Sequence, residues 1–134
     1  MDVNGADENG YTALHYAAEG GHVETVRFLC GVKGINVNGR DEEGRTALHY
    51  SAGEGKADVV SILLGSKGIN VNEVDLEGKT ALHYSAKLGQ VETVSLLIQH
   101  KGIDIGIKDC NRQTALDIAS GDDVRAALSR KAKK

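Results

Sequence analysis

Apolar residues along this chain fall into two spacings that alternate. In residues 44–78, Leu48, Ser51 and Ala52 recur at helical spacing behind Thr46, whose hydroxyl suits it to accept a free amide of a first helical turn. The stretch predicts a first helix of about two turns. Gly53 and Gly55 end it, and Val59, Val60, Leu63 and Leu64 then supply the i, i+3, i+4 stripe of a second helix, closed by Gly65 and Gly68. Beyond that, Ile69 and Val71 alternate with Asn70 and Asn72. The turn "DLEG" follows, with Gly78 where a positive φ is most needed. The reading is helix, turn, helix, extended finger.

The same pattern returns along the chain. "GYTALHYAAEGGHVETV" starts at Gly10, "GRTALHYSAGEGKADVV" at Gly44, "GKTALHYSAKLGQVETV" at Gly78, and a shorter "RQTALDIASGDDV" at Arg112. Thr12, Thr46, Thr80 and Thr114 are each 34 apart, and the joining segments "KGINVNGRD", "KGINVNEVD" and "KGIDIGIKD" repeat too. Neither short helix buries enough surface alone to offset the entropy of ordering it, so neighbouring units must stack.

On these residues the sequence resembles ankyrin-repeat proteins. Asp41, Gly44, Thr46, Leu48, His49, Gly55, Val59, Val60, Leu63, Leu64, Gly68, Val71 and Asn72 match the family pattern, with equivalents in the first and third units. The resemblance covers essentially the whole chain. It implies an all-α solenoid of stacked helix-turn-helix units with β-hairpin fingers, in one domain over 1–134. Residues 1–6 end a preceding finger, and the repeats run 7–40, 41–74, 75–108 and 109–134, the last a C-terminal cap. Three departures stand out. Ala13, Ala47, Ala81 and Ala115 replace the helix-opening Pro, at little cost because Ala is an excellent helix former. Lys33, Lys67 and Lys101 are each one extra residue before the finger. Arg112 replaces the turn Gly, leaving the geometry of the last finger open.

The chemistry that the motifs suggest resolves into scaffold. His15, His49 and His83 share one slot, the third after the Thr, and the fourth unit has Asp117 there, which completes a capping box with Thr114. A slot that takes His or Asp is a hydrogen-bonding position. Units about 10 Å apart cannot bring these rings to within about 2.1 Å of a shared zinc. A phosphate loop ending at Lys56 would need Gly at Tyr50 and Ser or Thr at Ala57; the triplet Gly78-Lys79-Thr80 would need Gly at Glu73. Tyr16, Tyr50 and Tyr84 read as core residues packed between units, each hydroxyl reaching an edge. No cofactor, no metal and no enzymatic activity are expected.

Composition narrows the partners. One Phe and no Trp leave the core to aliphatic side chains, and no stretch approaches the roughly 20 apolar residues of a membrane span. Cys30 and Cys110 lie 80 positions apart without metal-site spacing, so a reducing intracellular compartment, cytoplasmic or nuclear, is expected. Of the net −3 charge, Arg125, Arg130, Lys131, Lys133 and Lys134 gather at the end; the first 124 residues carry 11 basic against 19 acidic side chains. Such a body repels a phosphate backbone and disfavours nucleic acid.

What remains is surface. The resemblance implies a non-catalytic protein–protein interaction module, its partner held on the concave side made by finger tips and first helices. By position that surface holds Glu8, Asn9, Tyr11 and Glu19, then Arg40, Glu42, Glu43, Arg45 and Glu54, then Val74, Leu76, Glu77, Lys79, Lys87 and Leu88, then Lys108, Asn111 and Gln113. Its charge shifts from acidic toward basic along the stack. Val74, Leu76 and Leu88 are apolar where water-facing residues are expected, a hot-spot arrangement. The alternatives are a rigid spacer within a larger protein and, more remotely, an enzyme or nucleotide binder.

The two ends read differently. Seven positions separate Asp117 from Val124 against eleven between His83 and Val94, and the short last helix carries Arg125, Ser129, Arg130 and Lys131, as a capping end does. The first unit keeps the internal pattern, and "DVNGAD" at 2–7 reproduces "NVNGRD" at 36–41. Met1 therefore opens partway through a unit. The apolar front of unit one, with Leu14, Ala17, Val26 and Leu29, is expected to be exposed and to self-associate or be covered by further repeats.

Overall fold

The computed structural model describes residues 2–133. Met1, assigned above to a preceding finger, and Lys134 of the basic tail lie outside the described residues. Seven helices form among them: α1 Ala13–Gly20, α2 Val23–Cys30, α3 Ala47–Gly53, α4 Ala57–Leu64, α5 Ala81–Lys87, α6 Val91–Gln99 and α7 Asp122–Ala132. They pack in two rows. The inner row is α1 against α3 against α5, and the outer row is α2, α4, α6 and α7. Each odd helix through α5 also packs on the even helix that follows it.

The inner helices start where the sequence places them. The Thr46 hydroxyl accepts from the His49 amide at 3.3 Å, and the His49 ring Nδ1 accepts from the Thr46 amide at 3.0 Å. This is a capping box closed by an imidazole, and it recurs at Thr12–His15 and Thr80–His83. Gly55, at φ 69°, then turns the chain into the outer helix, while the Lys56 amide reaches back to the Ser51 carbonyl at 2.9 Å. The core is aliphatic, built from buried Leu48, Leu63, Leu82, Leu97 and Leu128 with Val26, Val59, Val60, Val94 and Val124.

The fingers correct one expectation. Among the described residues there is no β-strand, so no hairpin ladder forms. Each tip is instead folded around a carboxylate: the Asp41 side chain accepts from the Glu43 and Arg45 amides, both at 2.9 Å, and the Asp41 amide donates to the Arg45 carbonyl at 2.9 Å. Asp7, Asp75 and Asp109 do the same in their units. One main-chain bond links each tip to the next, as from the Leu76 amide to the Glu43 carbonyl at 3.0 Å. A local acceptor has replaced the ladder as the partner of these amides.

Neighbouring units are tied at two further places. The His49 Nε2 meets the Lys79 carbonyl at 2.8 Å, and His15 and His83 meet the carbonyls of Arg45 and Gln113 at 2.9 Å. On the loops before the fingers, the Asn38 amide donates to the Gly68 carbonyl at 2.8 Å while its oxygen accepts from the Asn70 amide at 2.8 Å. Asn4 and Asn72 repeat that double bond to the next loop.

The ends depart from the sequence reading. In the fourth unit Thr114 and Asp117 bond reciprocally, at 2.9 and 3.2 Å, but the segment that follows is a turn and not a helix. The last helix, expected to be short, is the longest at 11 residues. With no first helix to pack on, its apolar side is covered by α6. At the other end Leu14, Ala17, Val26 and Leu29 are buried, not exposed. They lie on the side of unit one that the second unit covers. The uncovered side is Ala13, Thr25 and Phe28, whose counterparts Ala47, Val59 and Ile62 are buried or half-buried. Phe28 is 73% exposed.

Candidate functional site

The fingers and inner helices together line three hollows in series. The first, about 420 Å³, is lined by Asn9, Tyr11, Tyr16, Glu42 and Glu43. The second, about 260 Å³, runs between Glu19, Arg45, Tyr50, Gly53, Glu54, Tyr84 and Leu88, with His49 at its floor. The third, about 190 Å³, is lined by Lys79, Lys87, Asp109, Asn111, Gln113 and Ile118. The hollows follow one another along the stack, the first between units one and two, the second across units one to three and the third between units three and four.

The tyrosines expected in the core form the walls instead. Tyr16 is 53% exposed, and Tyr50 and Tyr84 are half-buried. Each hydroxyl donates to the finger carboxylate nine residues earlier, in the pairs Tyr16–Asp7, Tyr50–Asp41 and Tyr84–Asp75. A long side chain tethered at its tip stays at the surface of the helix and does not turn into the apolar row. Burial, and then the bond to Asp41, raises the Tyr50 phenol; burial and Asp75 do so for Tyr84. Burial works against the Asp75 carboxylate, yet the Tyr84 hydroxyl and the Lys79 and Glu77 amides outweigh it and hold its pKa below the usual value. The in-phase recurrence of Asp and Tyr nine apart was the available signal for these pairs.

Across the units the tyrosines are bridged by the residue after the turn. The Tyr11 hydroxyl donates to that of Tyr50 at 2.8 Å. Arg45 Nε donates to the Tyr84 hydroxyl at 3.2 Å, its guanidinium 5.4 Å from that ring's centre, and the Lys79 ammonium lies 5.8 Å from it. Arg45 also lies 3.6 Å from Asp75, 3.5 Å from Glu43 and 3.8 Å from Glu77, and Lys79 lies 3.6 Å from Glu77.

The twelve candidate residues thus divide. Tyr11, Glu42 and Glu43 meet at the first hollow, Arg45 and Leu88 at the second, Lys79, Lys87 and Asn111 at the third. Arg40, Val74, Leu76 and Lys108 line none of them. Arg40 is held between fingers, donating to the Gly44 carbonyl at 3.2 Å and the Val74 carbonyl at 3.1 Å. Leu76 is 72% exposed on its finger tip, and Leu88 is 56% exposed beside Tyr84 without Val74 or Leu76 next to it in the hollow. The apolar cluster expected of all three is therefore divided between finger and groove.

His15, His49 and His83 are bonded at both ring nitrogens. In each ring one nitrogen faces a Thr amide and hydroxyl and the other a carbonyl, so the neutral tautomer protonated on Nε2 satisfies both. These rings close the caps of the inner helices and tie each unit to the next finger.

The family model for ankyrin repeats, a unit of three copies, matches residues 1–75 and again 67–133. The chain belongs to the ankyrin-repeat family. Comparison with curated protein sequences gave no match. Ankyrin repeats are in general protein–protein interaction modules and typically carry no catalysis.

Proposed function

We propose that this chain is a protein-binding module without chemistry of its own, which holds a partner along the concave groove of fingers and inner helices. One observation carries the reading: Leu88 stands 56% exposed in a hollow walled by Tyr50 and Tyr84, where packing within the chain does not require it. An exposed aliphatic between aromatic walls, with charges at the rim, is the arrangement of a binding hot spot. Capture of a partner by the chain, compared with a Leu76→Ala/Leu88→Ala double variant, tests it. The partner is expected to be lost with the double variant. A partner held equally well by both would favour the rigid-spacer reading, in which the groove is idle.

A second reading rests on Phe28. Its counterparts in the second and third units, Ile62 and Leu96, are half-buried where Phe28 is 73% exposed, and a second copy of the chain is a fitting cover for it. Light scattering of the chain and of Phe28→Glu checks this: association is expected in the first and not in the second.

A further inference from the structure

The three hollows differ in chemistry, and the difference has a direction. At the first, Glu42 and Glu43 are exposed, Glu8 stands nearby on the finger tip, and the basic side chain next to them, Arg45, is already engaged by Asp75, Tyr84 and Glu77. Only Glu43 shares it, at 3.5 Å. Glu19 and Glu54 extend this acidic rim to the near side of the second hollow and make no ion pair among the described residues. The second hollow is apolar at its far side, with Leu88 against Tyr84 and the Gly53 backbone. The third reverses the sign. Lys87 is exposed and unpaired among the described residues, Lys79 shares only Glu77, and Asp109, the one carboxylate there, is buried with its oxygen accepting from the Asn111 and Gln113 amides at 2.9 and 3.0 Å. Lys108 continues the basic character along the finger.

We infer that the groove takes an extended segment of a partner protein in a fixed order: basic side chains over the first hollow, one bulky apolar side chain in the second, and acidic side chains over the third. The inference rests on the interaction reading above and adds the partner's chemistry. Charge complementarity sets register and suppresses the reversed placement, because like charges brought face to face cost more than the correct pairs gain. The apolar anchor supplies most of the affinity. Three hollows about 10 Å apart put about 20 Å between the first and the third, which about six extended residues cover.

A library of displayed 12- to 16-residue peptides (about the span of the groove with short flanks), selected against the full chain, tests this. The variants Leu88→Asp and Glu42→Lys/Glu43→Lys change exposed positions, and thermal unfolding verifies that each keeps its fold. Selected peptides are expected to share the basic–apolar–acidic order and to lose about tenfold or more in affinity for Leu88→Asp. Selection against Glu42→Lys/Glu43→Lys is expected to replace the basic end by acidic residues. Peptides that depend on Leu88 but show no charge order would overturn the inference and leave the interaction reading standing. Peptides indifferent to Leu88, or none at all, would remove both.

Discussion

Gly44 occupies a position set by two independent demands. Its φ is 79°, and a Cβ there would fall 2.9 Å from the Leu76 amide nitrogen and 3.1 Å from the Asp75 Cα of the next finger. Gly10 and Gly78 meet the following finger in the same way. Arg112 adopts the same left-handed backbone, φ 63°, but no further finger of this chain packs against it. The finger geometry left open by the sequence is therefore kept, with the conformational strain and without the clash. Gly44→Ala is expected to cost about 2 kcal/mol or more, from strain plus overpacking, whereas Arg112→Gly should be neutral or stabilise by about 0.5 kcal/mol. Urea unfolding of the two variants measures the contrast. His49 makes a second prediction at this scale. Burial of its ring pushes its pKa below the ordinary value of 6.5, more than the Lys79 carbonyl and Asp75 raise it. The unfolded chain then binds this proton more readily, so His49 adds stability that is present above about pH 6.5 and is lost as pH falls through the lowered pKa. Asp75, also lowered, adds a second loss below its ordinary value of 3.8. The urea midpoint should decline in those two stages, and His49→Gln should make the first stage shallower.

Within a helix pair, stability comes from neighbours more than from the pair itself. Leu63 of α4 is fully buried, and α4 touches α2 on one side and α6 on the other. Leu63→Ala is expected to cost about 2–5 kcal/mol and to raise amide exchange in α2 and α6 as well as α4. Exchange changes confined to α3 and α4 would show the units to be independent. The helices themselves were readable because Thr caps, apolar stripes and glycines all pointed to the same boundaries. The fingers were less so. Alternating Ile69, Asn70, Val71 and Asn72 look like a strand, yet a carboxylate at Asp75 and side-chain amides at Asn38 and Asn72 take the bonds that a ladder would have used. The tyrosine positions were misread for a related reason: helical spacing gives the angle of a side chain about its axis, and only the tether to Asp41 or Asp75 decides whether it turns inward. Leu88 was recognisable as an apolar intruder, but its separation from Leu76 depends on which finger overhangs which helix, a matter of stacking that no local pattern records.

Across the whole molecule, the fourth unit lacks each group that elsewhere reaches forward. Gly106, at the end of the third unit, stands in line with Asn4, Asn38 and Asn72, Arg112 with the turn glycines, and Asp117 with the histidines. Asp117 keeps the local bond, to the Thr114 amide at 2.9 Å, and neither it nor Gly106 carries a side-chain donor for a following carbonyl. The fourth unit's hold on the stack is the bonds it shares with the third unit, His83 to the Gln113 carbonyl, Cys110 to that of Glu77 and Ser120 to that of Ala86, together with α7 against α6 through Val124 and Leu128. Val124→Asp with Leu128→Asp should fray this unit first, seen as early loss of protection in α7 while α1 to α4 stay folded; simultaneous loss of all protection would contradict it. The asparagine seam has one further consequence, in time instead of energy. Asn38 precedes Gly39, the neighbour that best allows a main-chain nitrogen to attack a side-chain amide and release ammonia. Here the attacking Gly39 amide is bonded to the Asn36 carbonyl at 3.3 Å, and the Asn38 amide is held at both atoms by the next loop. Deamidation at Asn38 then has to wait for two loops to part. Its rate, followed by mass spectrometry, is expected to be slower than in the free peptide NVNGRD and faster in Leu63→Ala, so the residue works as a clock of how often neighbouring units separate. Each event replaces a donor to the Gly68 carbonyl by a negative oxygen, and the loop that opened to permit the reaction would close less well afterwards.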